Sequence, residues 1–199
     1  MKISDKAKVS VGSQAKRFET EDEAAQKVTV LNSKDFNEAL GESYRGSGEE
    51  QQIKVTEVGL QKLNTVGGER LVIHLQLRKA AILSEKVEGY IVPANFATVE
   101  LDGDVYPPFF VWYFNHHQEM RKQIEAMTDS SRTVAMLKIS GIKDLEMVLP
   151  SYEKQVLIGD IHMIRIQKIK LQTEINEMEE KLMNEKLKNA VGDANNYEV

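Results

Sequence analysis

The sequence has no cysteine, four prolines and one tryptophan among its 199 residues. The absence of cysteine excludes disulfide bonds, thiolate nucleophiles and cysteine-ligated zinc. No segment reaches the ~20 consecutive apolar residues that a membrane-spanning helix needs, and the amino terminus lacks the apolar core of a signal peptide. We therefore expect a cytoplasmic protein without a membrane anchor.

Positive charge is also scarce, because 26 basic residues face 31 acidic ones and the net charge is −5. Neither the first 150 residues nor the remainder is basic overall. A protein that binds nucleic acid over most of its surface needs an excess of Lys and Arg to neutralise the phosphates. Any nucleic-acid site in this chain must therefore be local.

Motifs for nucleotide binding and catalysis are missing as well. The sequence contains neither G-x-x-x-x-G-K-[ST] nor G-x-G-x-x-G, so no phosphate-binding loop is predicted. His116 and His117 are adjacent and would point roughly 100° apart on a helix, while His74 and His162 are remote from them in the sequence. We predict no metal site, no catalytic site and no cofactor in this chain.

The first 100 or so residues contain short segments rich in Val and Ile, which predict strands. A polar, glycine-rich stretch at 41–48 predicts an exposed loop. After Pro107 and Pro108, apolar residues at helical spacing predict one amphipathic helix over 109–127. Leu145–Leu149 has the composition of a strand, and the whole segment Gly141–Leu149 is long enough for a strand or a short turn of helix. The predicted strand segments of the first part are Ala7–Val11, Lys27–Leu31, Gln52–Val58, Glu69–Leu77, Lys79–Leu83 and Gly89–Leu101.

A long helix with a coiled-coil pattern is predicted to begin at Pro150 and Ser151, residues that commonly start helices. From Leu157, alternating steps of four and three residues meet an apolar side chain at every position except Lys168 and Glu185. An isolated helix would leave this apolar stripe in water, so we predict a homodimer. The predicted dimerisation residues are Leu157, Ile161, Ile164, Leu171, Ile175, Met178 and Leu182.

Further apolar residues lie beside this stripe in its first half, which predicts that the first turns also pack on something broader than one partner helix. They are Ile158, Met163, Ile166 and Ile169. The sequence thus predicts an α+β fold in three parts. A mixed, β-rich domain with short helices covers residues 1–150, a long helix covers 151–191, and a flexible tail covers 192–199.

The segment Gly141–Gln155, GIKDLEMVLPSYEKQ, resembles the repeated ending of a target-recognition domain in the specificity subunit of type I restriction-modification enzymes. The shared pattern is a Lys-Asp-Leu stretch, an apolar strand, a proline, and then Glu and Gln at the start of a long helix. The chain departs from the family at Leu75–Lys79, where a Ser-Gly turn is common. It also has one recognition domain and one long helix, whereas typical members have two of each. Weaker similarities cover Ala7–Gly12, Glu69–Leu83, Gly89–Phe96 and Phe109–Met127.

The resemblance implies a non-catalytic subunit that recognises a double-stranded DNA sequence and positions a methyltransferase subunit, with or without a restriction subunit. S-adenosylmethionine would then belong to the methyltransferase. Two copies paired through the long helix would favour a two-part palindromic site. Arg, Lys and Tyr in predicted loops are candidates to contact bases and phosphates. The candidate DNA-binding residues are Lys16, Arg17, Tyr44, Arg45, Arg78, Lys79 and Arg132.

A second hypothesis belongs to a different class of protein. The chain would be a coiled-coil interaction module whose globular part binds protein and not DNA. The acidic net charge of −5 favours this alternative.

Overall fold

The chain forms an α+β fold, as predicted, in a computed structural model that describes residues 1–44, 46, 49–68, 70–127 and 136–194, with side chains up to residue 190. A β-rich head comprises residues 1–150, and one long helix extends from it. None of the helices in these described ranges is both long enough and apolar enough to span a membrane. The α-helices are α1 Ser33–Leu40, α2 Glu57–Leu60, α3 Pro107–His116, α4 Gln118–Ala126, α5 Ile139–Asp144 and α6 Tyr152–Ala194.

The strands form two antiparallel sheets. A four-stranded sheet has the order β1-β6-β4-β5, and β2 pairs with β3 in a separate ribbon. In the larger sheet Val9 lies beside Val99, and Ile73 lies between Ala97 and Ala80. The strands are β1 Ala7–Val11, β2 Gln26–Val30, β3 Gln51–Val55, β4 Leu71–His74, β5 Lys79–Ile82 and β6 Phe96–Leu101.

The two faces of the four-stranded sheet carry different parts of the core. Neighbouring residues on a strand point to opposite faces, so Ile73 packs in one apolar cluster with Phe110 and Phe114 of α3. Val72 packs in a second cluster with Phe36 of α1. The sheet is therefore covered by α3 on one side and by α1 on the other.

The predicted strand Ala7–Val11 matches β1, and Lys27–Leu31 is β2 shifted by one residue. The other four predicted strands are longer than the observed ones. β3 ends at Val55 because Thr56 starts α2, where its hydroxyl accepts a hydrogen bond from the Gly59 amide. The predicted strand Gly89–Leu101 is wrong over its first half. Pro93 has no amide hydrogen to donate to a ladder, and its carbonyl accepts a bond from Phe96 in a tight turn.

The short helix α1 was not predicted, although its ends carry recognisable signals. Asn32 caps it by accepting bonds from the amides of Lys34 and Asp35, and the Asp35 carboxylate accepts one from the Asn32 amide. Gly41 ends the helix in the left-handed region at φ 72°, which glycine adopts without strain. These local signals start and stop a helix of eight residues.

The single helix predicted over 109–127 is wrong, because the chain forms α3 and α4 with a break at His117. Pro107 and Pro108 occupy the first turn of α3, where no amide donor is required. His117 has an extended backbone at φ −68° and ψ 128°. Its ring stacks on Tyr113 with the centroids 4.1 Å apart, and this contact holds the bend.

No strand forms at 145–149, and of the two alternatives for Gly141–Leu149 the short turn of helix is the one observed, over its first residues. Residues 139–144 form α5, and the extended segment after it pairs with the amino terminus through isolated contacts. The Ile3 amide donates to the Leu145 carbonyl at 2.8 Å, and the Met147 amide donates to the Met1 carbonyl at 2.8 Å. This segment closes the head just before α6 begins.

The carboxy-terminal helix is continuous, as the heptad pattern predicts. α6 has 43 residues, which corresponds to ~64 Å at ~1.5 Å per residue. It continues past the predicted end at residue 191 to Ala194. The part of the predicted tail beyond 194 lies outside the described residues.

Candidate functional site

The long helix is attached to the head through a joint, by which we mean the contact between the first turns of α6 and the α3 region. Gln155 is only 2% exposed. Its Oε1 accepts a hydrogen bond from the Tyr106 amide at 3.0 Å, and its Nε2 donates to the carbonyls of Asp104 and Pro150, both at 3.1 Å. One buried side chain thus ties the start of α3, the loop before it and the start of α6 together.

Gly159 allows the two helices to approach closely at this joint. A Cβ atom at this position would lie 2.7 Å from the Phe109 amide nitrogen and 2.9 Å from Pro108 Cβ, closer than such atoms pack. Beside it, the Tyr106 hydroxyl donates to Asp160 Oδ1 at 2.7 Å. This hydrogen bond is the main reason why the pKa of Tyr106 is raised, with burial adding to it. The joint therefore fixes the direction in which α6 leaves the head.

The two faces of α6 have different surroundings. The face toward the head buries Gln155, Gly159, His162 and Ile166, and Ile158 packs against the head's core. Burial against the head accounts for Ile158 and Ile166 among the apolar residues that widen the first half of the stripe, whereas Ile169 is 40% exposed. The opposite face carries the seam, which we define as Leu157, Ile161, Ile164, Leu171, Ile175, Met178 and Leu182.

Each of the seven seam residues is between 48% and 65% exposed in the single chain. In heptad terms the seam occupies the a and d positions, while the head covers b and f positions such as Gln155 and Gly159. The head therefore leaves the whole seam free for another helix. Neither a partner helix nor a coiled coil is part of this single-chain structure, so the dimerisation residues stay a prediction.

A histidine pair lies at the joint, although the sequence places its members far apart. The rings of His116 on α3 and His162 on α6 have centroids 5.1 Å apart. His162 is 5% exposed, and its Nε2 is buried without a hydrogen-bond partner among the described residues. Burial lowers the pKa of His162 to about 4, with smaller contributions from His116 and Arg165.

Positive charge gathers around the same pair. The pKa of His116 is lowered by burial and then by the charges of Arg165, Lys79 and Arg121. Glu42 acts in the opposite direction on this pKa. In the residues that the structure describes, no three His, Asp or Glu side chains form a group able to hold a metal ion.

Four of the predicted DNA-binding residues lie at one end of the four-stranded sheet. Lys16 and Arg17 are exposed on a 3₁₀ helix, Ala15–Phe18, that follows the end of β1. Arg78 and Lys79 lie where β4 turns into β5. The strand register aligns these ends, but β1 and β5 are the two edges of the sheet, and three strand spacings of ~4.8 Å place these edge strands about 14 Å apart.

Lys79 and the three candidates elsewhere in the chain have different environments. Lys79 Nζ lies 2.6 Å from Glu42 Oε1 in a half-exposed ion pair, so a DNA phosphate would compete with this carboxylate. Tyr44 is exposed and lines a groove with Lys170 and Thr173 of α6. Arg45 and Arg132 lie outside the described residues. None of these positions is tested by the structure, and all seven stay predictions.

The residues that build the joint were missed from the sequence. In the sequence, Gln155 stands out only as part of the pattern that resembles the family, and nothing local indicates that its side chain is buried and makes three hydrogen bonds. Gly159 carries a clearer signal, because glycine inside a helix is unfavourable by ~1 kcal/mol relative to alanine and often marks a close contact. The His116–His162 contact has no local signal.

No protein-family model matches this sequence, and no curated protein matches it either. Among solved structures, a chain from work on the structural basis of complex assembly and conformational transition of the type I R-M system shares its fold, with a TM-score of 0.57 and 14% identity. The match covers 96% of this chain and 48% of that chain. The present chain thus spans about half the length of the solved chain that it matches.

Proposed function

We propose that this chain is a non-catalytic DNA-recognition subunit of a type I restriction-modification system. The head would be the target-recognition domain, and α6 would be the spacer. The observation that carries the proposal is the match of nearly the whole chain, 96%, to 48% of a chain from such a system. The resemblance of residues 141–155 to the junction of a target-recognition domain and a long helix supports the same assignment.

Two copies would pair through the seam. Fully burying a large apolar side chain contributes ~1.5–3 kcal/mol, and each copy offers seven such residues that are about half exposed or more. This apolar burial supplies the affinity of the pair. The charged residues beside the seam contribute less, ~0.2–1 kcal/mol for each exposed pair, so their part is to select the orientation of the two helices.

Parallel, in-register pairing brings like charges together. Lys168, at an a position, would oppose its own copy. The flanking g and e positions would place Glu174 beside Glu179 of the second copy, and Lys181 beside Lys186. Asp160 with Arg165 of the second copy is an attractive contact, but the repulsive contacts outnumber it.

Antiparallel pairing in one particular register avoids these repulsions. When Leu157 faces Leu182 of the second copy, Asp160 comes beside Lys181 and Glu153 comes beside Lys188. Two-fold symmetry repeats each of these attractive pairs. All seven seam residues are covered in this register, and Lys168 faces Leu171. The layers are Leu157 with Leu182, Ile161 with Met178, Ile164 with Ile175, and Lys168 with Leu171.

This arrangement sets a distance between two heads. In that register the Leu157 residues of the two copies are ~37 Å apart along the helix axis at ~1.5 Å per residue. One turn of B-DNA is ~34–36 Å long, so the two heads would reach the same side of a duplex. Because the joint holds each head rigidly on its helix, the pair would favour a palindromic site with a fixed gap.

The partners of this proposal are double-stranded DNA, a methyltransferase subunit and, where present, a restriction subunit. The methyltransferase would bind S-adenosylmethionine and carry out the chemistry. The present chain would contribute base and phosphate contacts from the head, with Lys16, Arg17, Arg78 and Lys79 as the described cationic candidates.

Duplex binding tests the proposal directly. A randomised duplex pool of about 30 base pairs is incubated with the chain and a type I methyltransferase subunit from the same organism, at low salt where phosphate contacts are strongest. Retention of DNA with enrichment of a split palindrome is the expected result. Absence of retention at low salt contradicts the proposal and favours the interaction module suggested by the net charge of −5.

A further inference from the structure

The turn between β4 and β5 projects two exposed residues, Gln76 and Leu77, from the end of the sheet. Within the described part of the chain, the side-chain carboxamide of Gln76 makes no hydrogen bond. Arg78 completes the turn in the left-handed region at φ 55°, which residues with a Cβ atom rarely adopt. An arginine held in this conformation shows that the surrounding contacts impose the shape of the turn.

Hydrogen bonds hold the base of this turn from several sides. The Leu75 amide donates to the Asn95 carbonyl at 2.9 Å, and the Leu75 carbonyl accepts from the Leu137 amide at 3.0 Å. The Arg78 amide donates to the His74 carbonyl at 2.8 Å. Arg121 Nη1 donates to the Arg78 carbonyl at 3.0 Å. The tip is therefore presented on a fixed base.

A buried histidine supports the turn from below. His74 is 4% exposed and packs between the rings of Phe36 and Phe96, with centroid distances of 5.4 Å and 4.5 Å. Its Nδ1 accepts a hydrogen bond from the Leu77 amide at 3.3 Å. Burial lowers the pKa of His74, which favours the neutral ring that this acceptor role requires.

The surroundings of the tip suit a DNA backbone. Arg78 and Lys79 follow Gln76 in the chain, and Arg121 contacts the turn from α4. The 3₁₀ helix with Lys16 and Arg17 leaves the same end of the sheet. A neutral amide flanked by cations matches the division of labour in DNA recognition, in which cations contact phosphates and amides contact base edges.

We infer that Gln76 is a base-reading residue that recognises adenine in the major groove of the DNA target. Its carboxamide can donate to N7 and accept from the N6 amino group of adenine in a bidentate contact. A rigid turn keeps this contact specific because little freedom is lost on binding. The inference rests on the proposed function and adds the residue and the base to it.

The test uses Gln76→Ala and Gln76→Glu in the full chain, with Gln61→Glu as the control. Gln61 is exposed immediately after α2, so the control adds the same charge away from the β4–β5 turn. Each protein selects DNA from the randomised duplex pool in the presence of the methyltransferase subunit, and the retained DNA is sequenced. Circular dichroism of each variant verifies the fold.

The wild-type protein and the control are expected to enrich adenine at one position of each half-site. Gln76→Ala should reduce that preference by about 5- to 150-fold, the usual range for one bidentate contact. Gln76→Glu should shift the preference to cytosine, whose N4 amino group donates to a carboxylate.

Two failures have separate meanings. If the wild-type chain enriches a site and both Gln76 variants enrich the same site, the role of Gln76 is overturned while the proposed function stands. If the wild-type chain retains no DNA, the proposed function fails and the inference fails with it.

Discussion

The orientation of the helix pair can be tested by disulfide cross-linking, because the chain contains no cysteine. The perturbation is the double substitution Ile164→Cys and Ile175→Cys, with each single variant prepared alongside. In the proposed antiparallel register, Ile164 of one copy lies in the same layer as Ile175 of the other. The double variant should therefore form two symmetric disulfides between copies.

The expected separations follow from the geometry of α6. A disulfide requires Cβ atoms about 3.5–4.5 Å apart. The two copies of residue 164 would be ~16 Å apart along the axis in the antiparallel pair, at ~1.5 Å per residue, and the same distance separates residues 164 and 175 within one helix. Neither a single variant nor an intrachain bond can satisfy disulfide geometry.

The assay is oxidation in a glutathione buffer followed by non-reducing gel electrophoresis. The double variant should run as a covalent dimer, and each single variant should run as a monomer. Efficient cross-linking of Ile164→Cys alone would refute the antiparallel reasoning, because only a parallel pair places residue 164 opposite itself. A dimeric double variant that does not cross-link would refute the register.

Three further predictions concern the seam and the joint. Ile164→Glu should remove ~1.5–3 kcal/mol of apolar burial free energy from each copy, so light scattering should show a monomer in place of the dimer. The control Asn176→Asp, on the side of α6 opposite the seam, should leave the dimer intact. An unchanged mass for Ile164→Glu would contradict pairing through the seam. Gly159→Ala should lower the free energy of unfolding in urea by ~1–3 kcal/mol, because overpacking against the Phe109 backbone outweighs helix propensity; a rise of ~1 kcal/mol, the propensity gain alone, would contradict the close contact. Burial lowers the pKa of His162 from 6.5 to about 4, so the unfolded chain binds this proton more readily than the folded one. The free energy of unfolding should therefore fall as the pH drops from about 6.5 to about 4. His162→Leu should make the free energy of unfolding in urea depend less on pH over this range, and an equally steep dependence would contradict the role of His162.

The sequence predicted the elements whose signals are local and repeated. The alternation of apolar and polar residues in Ala7–Val11, AKVSV, predicts β1 to the residue, and the heptad pattern predicts a helix that is continuous in the structure. The residues proposed for the seam are exposed along α6, while the opposite face is buried against the head only in the first turns, at Gln155, His162 and Ile166. Periodicity shows which side chains share a face, and this is enough when an element is long.

The elements that were missed depend on short signals or on tertiary contacts. α1 has eight residues and is defined by the capping box at Asn32 and by Gly41, which a search for apolar periodicity overlooks. The break at His117 rests on stacking with Tyr113. The apolar segment at 145–149 had the composition of a strand, but its pairing partner is the amino terminus, far away in sequence.

For the candidate DNA-binding residues, too, the sequence predicts local features but not tertiary contacts. Exposure of Lys16, Arg17 and Tyr44 agrees with a role at the surface, yet the sequence gives no indication that Lys79 pairs with Glu42. Ion pairs of this kind are set by how strands and loops meet. A list of cations in predicted loops therefore identifies candidates, and the fold determines which of them are already engaged.

The rigid joint is the feature by which helix pairing would select one gap between the two DNA half-sites. A spacer on a flexible linker would allow each head to sample many separations, and the preference for one gap between half-sites would be lost. Here the Gln155 hydrogen bonds and the Gly159 contact attach α6 to α3 on one face. The seam remains free on the other face. Because one rigid helix serves both contacts, the register of the seam would set the distance between heads, and a substitution that loosens the joint should relax the gap without abolishing the pair.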